Sequence, residues 1–330
     1  MRSIEVKDNQ ATGFLRGIFP VVPTPLQQDE SLDLTGLSRC LAFYLDSPVA
    51  GVTVLGSGGE LPYLSDAEQL SVLEHAYQCV NKAKPIIVGV NAFSVHHARD
   101  KIDAYQGKAD AVMVLFTGYY KHDFSALKNA LKTVVKSSPM PVLYYHFPQV
   151  SGLFLTPPEL IELLNETGVV GIKDSALHIK SAKKVLQHCG QSAYFSGLSL
   201  LLPALMKLGA SGAICPIGAI APTLTTQLFD DSVSGDENMQ RITQAQLINL
   251  LPIVNNLNIT ASRQFKLLRF VTGFPINLLK QASSPQAACK EALRLLGIDI
   301  TATVRRPLPA LEGQSSATIL KHLKVAQIVS

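Results

Sequence analysis

The feature that most constrains this chain is an alternation. Short runs rich in β-branched residues end in a Gly, Pro, Ser or Asp break, and each is followed by a stretch with helical periodicity. Eight runs read as strands, at residues 17–22, 51–55, 85–90, 111–116, 141–145, 169–173, 193–195 and 212–214. Between them, 34–45, 66–80, 95–106, 124–136, 157–165, 179–186 and 199–208 carry helical spacing. The runs are almost wholly apolar, as in Ile86-Ile87-Val88 and Val112-Met113-Val114-Leu115, so both faces need cover and the sheet is expected to be parallel. Eight such strands predict an α/β fold, a closed (β/α)8 TIM barrel. An open dinucleotide-binding sheet would place G-x-G-x-x-G after its first strand, where this chain has Gly17-Ile18-Phe19-Pro20. The second loop, Gly56-Ser57-Gly58-Gly59-Glu60-Leu61, has a G-x-G without the third glycine.

Helix starts carry their own signatures. Ser65-Asp66-Ala67-Glu68 and Thr156-Pro157-Pro158-Glu159 both read as capping boxes, the second with proline at the first helical position. From about Pro222 the strand signal fades into helical stretches at 223–228, 238–256, 261–271 and 284–296, with another from Ala317. The expected organisation is an N-terminal arm at 1–13, a barrel at 14–235 and a C-terminal helical domain at 236–330.

Composition narrows the partners. With 47% hydrophobic residues the chain can bury a large core, and its net charge of +4 is spread without a basic block, so nucleic acid is not an expected partner. Five scattered cysteines form no CxxC, which fits a reducing compartment rather than a disulfide or zinc framework. No run of 18 apolar residues occurs and the first residues lack the apolar core of a signal peptide. A cytoplasmic protein without membrane contact is expected.

In a barrel the reactive groups belong where apolar strand runs stop. Lys173 closes the run containing Val169, Val170 and Ile172. There it would point into the barrel mouth with little water around it, which favours a neutral amine able to attack a carbonyl; the alternative is a lysine that snorkels into solvent. Tyr144 and Tyr145 end the neighbouring run, and alternation sends one inward and the other towards the helices. A phenol beside a Schiff-base lysine is a competent proton relay. His146 reads as a polar lining residue, with a base or a metal ligand as the alternatives. Gly58 and Gly59 leave backbone N–H groups open beside the Ser57 hydroxyl, which suits a carboxylate or phosphate, whereas Glu60 suits an anion site only if it turns away. A metal site would need clustered histidine or carboxylate ligands at strand ends; only His146 qualifies, and His96-His97 sit at a helix start without partner spacing. No cofactor or metal is therefore expected.

Taken together these strand ends resemble the dihydrodipicolinate synthase / N-acetylneuraminate lyase family, pyruvate-handling class I aldolases on a (β/α)8 barrel. The likeness covers nearly the whole chain, from the opening Gly17-Ile-Phe-Pro-Val-Val-Pro-Thr-Pro-Leu26. Gly56-Ser-Gly-Gly-Glu60 stands at the family's G-[ST]-[TG]-G-E, Tyr145-His-Phe-Pro-Gln-Val-Ser-Gly152 at Y-[NH]-x-P-x-x-[ST]-G, and Gly171-Ile-Lys-Asp-Ser175 at G-[IVL]-K-[DE]-[SA]. The resemblance implies that Lys173 forms a Schiff base with pyruvate or another 2-oxo acid and that Tyr145 shuttles the proton. It implies that Ser57, with the N–H groups of Ser57 and Gly58, holds the carboxylate. Tyr120 would join Ser57 and Tyr145 in a hydroxyl relay, Tyr119 would reach across a subunit contact, and a homo-oligomer, dimer or tetramer, is expected.

Departures bear on the second substrate, an aldehyde. Where dihydrodipicolinate synthases generally have arginine, this chain has Val150; where sialic acid lyases have an acidic pair, it reads Gly197-Leu198-Ser199-Leu200. Val150, Ser199 and Leu200 are the positions expected to choose the second substrate, and His146, Gly197 and Ile214 are further candidate substrate-binding residues. The double glycine at 58–59 is similar to members that cleave 2-keto-3-deoxy sugar acids. The expected activity is a lyase on such a 2-oxo acid, with dihydrodipicolinate synthase, N-acetylneuraminate lyase and a non-catalytic 2-oxo acid binding barrel as alternatives.

Overall fold

All eight expected strands form, and they are parallel. The computed structural model describes residues 12–120, 122–255, 285–311 and 315–329. Strands β1 (Gly17–Ile18), β2 (Val52–Val54), β3 (Ile86–Ala92), β4 (Ala111–Phe116), β5 (Val142–His146), β6 (Gly171–Asp174), β7 (Ala193–Ser196) and β8 (Gly212–Ala213) lie in the order β1-β8-β7-β6-β5-β4-β3-β2. The ring closes between β1 and β2, where Val22 N–H donates to Thr53 O at 2.9 Å and Thr53 N–H to Pro20 O at 2.8 Å. β1 is shorter than the apolar run from 17 to 22 because Pro20 has no N–H for a ladder.

Alternation along each strand splits the core in two. Phe19, Val21, Ile87, Met113, Leu143, Tyr145, Phe195 and Ile214 fill the barrel interior, with Phe19 and Phe195 edge to face at 5.6 Å. Val54, Val88, Val112, Val114, Tyr144 and Ile172 face outward into the helical layer. Both faces are buried, which is why the runs lack polar positions. Gly89 is where this packing leaves no room: a Cβ there would lie 1.9 Å from Leu55 O, so the start of the 56–60 loop passes directly over β3.

The helices begin where their caps place them. Ser65 Oγ accepts from Glu68 N–H and Glu68 Oε2 accepts from Ser65 N–H, opening the helix Asp66–Val80; Thr156 and Glu159 do the same for Pro157–Glu166. Two expected helices are interrupted. The stretch 199–208 becomes the short turns Ser199–Leu201, Leu202–Leu205 and Met206–Leu208. The stretch 238–256 divides into Glu237–Ile248 and Leu251–Asn255, because Pro252 cannot donate back into a continuous helix. The C-terminal helices Gln286–Leu295 and Ser316–Val325 bury Ala292, Leu293, Ile319 and Leu323 in the same apolar cluster as the outer barrel wall. The expected helix at 261–271 and residues 1–11 of the arm lie outside the described residues. Among the described residues no helix is long and apolar enough to cross a membrane.

Candidate functional site

One row of neighbouring residues runs across the mouth of the barrel. Asn91 pairs with Leu115 in the β3–β4 register, Tyr145 pairs with Lys173 in β5–β6, and Lys173 pairs with Phe195 in β6–β7. Inward alternation brings Tyr145, rather than Tyr144, into the interior, and with it Lys173. The Lys173 side chain is 3% exposed, and its Nζ stands 4.2 Å from the centre of the Tyr145 ring. It makes no hydrogen bond or ion pair among the described residues, and the contact of its amine is with the face of the Tyr145 ring. The opposite end of the phenol reaches Ser57, with Tyr145 OH and Ser57 Oγ 3.3 Å apart. Phe147 stacks on the Tyr145 ring at 5.4 Å, which fixes its plane.

Ser57 belongs to a three-residue 3-10 turn, Ser57–Gly59, that follows β2. Gly59 N–H donates to Gly56 O and Glu60 N–H to Ser57 O, whereas the N–H groups of Ser57 and Gly58 make no hydrogen bond among the described residues. Two N–H groups left unengaged among the described residues and a hydroxyl on one short turn make a donor set suited to a carboxylate. Glu60 does turn away. Its carboxylate is fully buried against Lys290 of the helix Gln286–Leu295, with Oε1 and Nζ 2.5 Å apart, and its Oε2 accepts from Arg305 N–H at 2.8 Å.

A small cavity lies on the Ser57 side of Tyr145. Gly56, Ser57, Gly89, Asn91, Met113, Leu115 and Tyr145 are among its walls. Thr117 Oγ1 donates to Asn91 Oδ1 at 2.8 Å, which holds the amide in place. Asn91 and Thr117 are absent from the sequence-derived set, although each also stands where an apolar run stops.

The remaining sequence-derived residues fall in different places. Ile214 is fully buried in the barrel interior, and its N–H donates to Ser196 O at 3.0 Å. Gly197 follows β7, where a Cβ would lie 2.3 Å from Ser175 Oγ, so any larger residue closes that corner. Ser199 is buried, and its hydroxyl has no hydrogen-bond partner among the described residues. Val150 is 45% exposed in the rim helix Pro148–Ser151. Tyr120 is not brought to Ser57 within this chain. It is 80% exposed and Tyr119 is 95% exposed, the two rings packed edge to face at 5.1 Å.

His146 is placed behind the sheet, not in the mouth. It shares the outward face with Tyr144, is fully buried, and pairs through Nδ1 with Asp174 Oδ1 at 2.9 Å. Tyr194 OH donates to Asp174 Oδ2 at 2.6 Å and Ala176 N–H to Oδ1 at 2.9 Å. Burial opposes the Asp174 charge, but the hydrogen bond and charge of His146, with the bonds from Tyr194 and Ala176, outweigh it and hold the carboxyl below its ordinary value. Burial, with the Asp174 charge beside it, drives the Tyr194 phenol well above its own. This cluster ties the ends of β5 and β6 to the start of β7 on the face of the sheet opposite Lys173.

A carboxyl whose folded value is depressed contributes stability that is complete above the usual ~3.9 and is lost as pH falls through the folded value. Urea denaturation should accordingly show the wild type losing more stability between about pH 4 and pH 2 than Asp174→Asn does. Asp174→Ala should cost about 3 kcal/mol at neutral pH, because it strands a buried histidine and a buried phenol. A pH-independent difference between wild type and Asp174→Asn would contradict this account of the network.

Comparison with known proteins gives a consistent picture. The chain matches the sequence model of the dihydrodipicolinate synthetase family over residues 14–326. A 4-hydroxy-tetrahydrodipicolinate synthase of Methanococcus vannielii is 26% identical over 289 residues, 86% of this chain and 99% of the relative. The probable 2-dehydro-3-deoxy-D-pentonate aldolase of Escherichia coli K12 is 28% identical over 226 residues, 67% of this chain and 75% of the relative. The crystal structure of a dihydrodipicolinate synthase from Acinetobacter baumannii, complexed with pyruvate, shares the fold at a TM-score of 0.82. It is 24% identical, and the match covers 96% of this chain and all of that one.

Proposed function

Because the chain belongs to the dihydrodipicolinate synthetase family, whose members are pyruvate-dependent class I lyases and aldolases, we propose that its substrate is a 2-keto-3-deoxy sugar acid, cleaved to pyruvate and an aldehyde. The chain is a lyase; the choice of substrate is the inference. The observation that carries the site assignment is the position of Tyr145, with the Lys173 amine against its ring and the Ser57 hydroxyl at its OH.

On this reading the Lys173 amine adds to the C2 carbonyl, Tyr145 gives its phenolic proton to the departing hydroxyl, and loss of water leaves a protonated imine beside a phenolate. Tyr145 accepts the proton of the C4 hydroxyl, the C3–C4 bond breaks, and its electron pair passes into the imine as an enamine. The aldehyde leaves, C3 takes up a proton, and water hydrolyses the imine to release pyruvate and the amine. The N–H groups of Ser57 and Gly58, unengaged among the described residues, hold the substrate carboxylate throughout with the Ser57 hydroxyl. Val150, Gly197, Ser199 and Ile214 are assigned to the aldehyde side.

Dihydrodipicolinate synthesis is the second reading, favoured by relatives such as the Methanococcus vannielii synthase and opposed by Val150, which offers a carboxylate no charge. A homo-oligomer fits the exposed Tyr119–Tyr120 pair, a bare aromatic face that a second copy of the chain would cover. We assign Tyr120 to the hydroxyl relay in such an assembly.

Purified protein should be incubated with pyruvate and a panel of aldehydes, including aspartate semialdehyde, glycolaldehyde and glyceraldehyde, and the products identified by mass. Condensation with hydroxyaldehydes and little with aspartate semialdehyde is expected. Efficient formation of dihydrodipicolinate would replace the sugar-acid reading, and saturable pyruvate binding with no product from any aldehyde would favour a binding protein.

A further inference from the structure

We propose that the C-terminal helix Gln286–Leu295 sets how tightly the site holds a 2-oxo acid, with Gln286 and Lys290 acting as positioning residues for the 56–60 loop. The inference rests on the reading above that this loop holds the substrate carboxylate.

The loop has little reason of its own to stay in one shape. Three of its five residues are glycine, and Glu60 sits in the left-handed region at φ 61°. Contacts from elsewhere hold it. Thr24 Oγ1 donates to Gly59 O at 2.7 Å from the barrel side. From the C-terminal side, Gln286 Nε2 donates to Ser57 O at 3.1 Å, Lys290 pairs with Glu60, and the Arg305 N–H donates to the same carboxylate. Lys290 is itself fixed by donating to Thr303 O at 2.6 Å.

The bond from Gln286 matters because of peptide geometry. Ser57 C=O and Gly58 N–H belong to one planar trans peptide and point in opposite directions. A donor that fixes the carbonyl on one side therefore aims the Gly58 N–H on the other, where the carboxylate would lie. The Glu60–Lys290 pair solves a second problem. A carboxylate three residues from an anion site would repel the substrate, and turning it into a buried ammonium both removes its field and anchors the end of the loop. An apolar pair of the same volume could serve stability as well as these two charges do. A directional bond to a fixed lysine adds placement, which an apolar contact would not.

Two variants separate positioning from bulk stability. Gln286→Ala removes the bond to the Ser57 carbonyl and leaves the loop's own residues and the Glu60–Lys290 pair unaltered. Glu60→Gln combined with Lys290→Met avoids leaving a charge buried alone and so keeps the chain folded where Lys290→Met by itself could fail. Both should raise the pyruvate concentration for half-saturation about tenfold while kcat stays within about twofold, because the reacting residues are untouched and the carboxylate cradle is loosened. Amide hydrogen exchange without any ligand should show faster exchange at Gly59 and Glu60, whose N–H groups close the turn. Folded variants with unchanged half-saturation, or a loss confined to kcat, would overturn the inference. If the unaltered protein gave no trapped adduct with pyruvate, the aldolase reading would fall instead, and unchanged exchange at Gly59 and Glu60 would then be the result that refutes loop positioning.

Discussion

Borohydride added to the protein with pyruvate should leave one stable adduct, on Lys173, and Lys173→Ala should form none while losing on the order of 10⁴-fold or more of its cleavage rate. The size follows from what the imine does. Breaking the C3–C4 bond leaves an electron pair on C3, and without a protonated imine at C2 there is no sink for it, so the remaining groups can bind substrate but not cleave it. The structure also makes the variant interpretable. Lys173 is buried against Tyr145 and has no hydrogen-bond or ion-pair partner among the described residues, so truncation leaves a void and strands no polar group. Lys173→Arg should be equally inactive although it keeps a cation, because a guanidinium stays protonated and is no nucleophile. Mass mapping of the adduct and initial rates test both points, and an adduct on another lysine, or full activity in Lys173→Ala, would remove Lys173 from the mechanism.

How much of this was legible in sequence depended on how local each determinant is. The capping boxes at Ser65 and Thr156 are contained within four residues, and the helices begin at the expected positions. Apolar strand runs report burial on both faces, which is why all eight strands and the barrel were foreseen. Alternation could say that Tyr144 and Tyr145 diverge but not which turns inward; closure of the ring decides that. His146 shows the limit of the strand-end rule. It stands one residue beyond Tyr145, so the same alternation carries it behind the sheet, where Asp174 and Tyr194 are waiting. Lys290 and Gln286 were out of reach for a different reason. Their partners Glu60 and Ser57 are more than two hundred positions away, and a lysine flanked by Cys289 and Glu291 looks like an ordinary solvent-facing residue. Asn91 was within reach, because an amide where β3 stops is the same signal that marks Lys173 on β6.

Tyr145→Phe should lower the cleavage rate by about 10²–10⁴-fold, the usual loss when a positioned general acid–base is removed. The ring carries the packing. It lies under the Lys173 amine and against Phe147, and phenylalanine preserves both contacts, so the fold and the trapped adduct at high pyruvate should survive. What disappears is the hydroxyl 3.3 Å from Ser57 Oγ. Tyr144→Phe provides the control from the other face of β5, where the side chain is buried in the helical layer and has no path to the mouth; its effect on rate should be under about threefold, with any loss appearing in stability instead. Ser57→Ala should fall between the two, because the N–H groups of Ser57 and Gly58 would still hold the carboxylate while the hydroxyl partner of Tyr145 is gone. The order Tyr145→Phe, Ser57→Ala, Tyr144→Phe, from most to least impaired in steady-state rate, is therefore the signature of a relay running through Tyr145. Equal small effects in all three would mean that the proton leaves by another route. His146, sealed behind the sheet on Asp174, could supply one only if the wall between β5 and β6 opened.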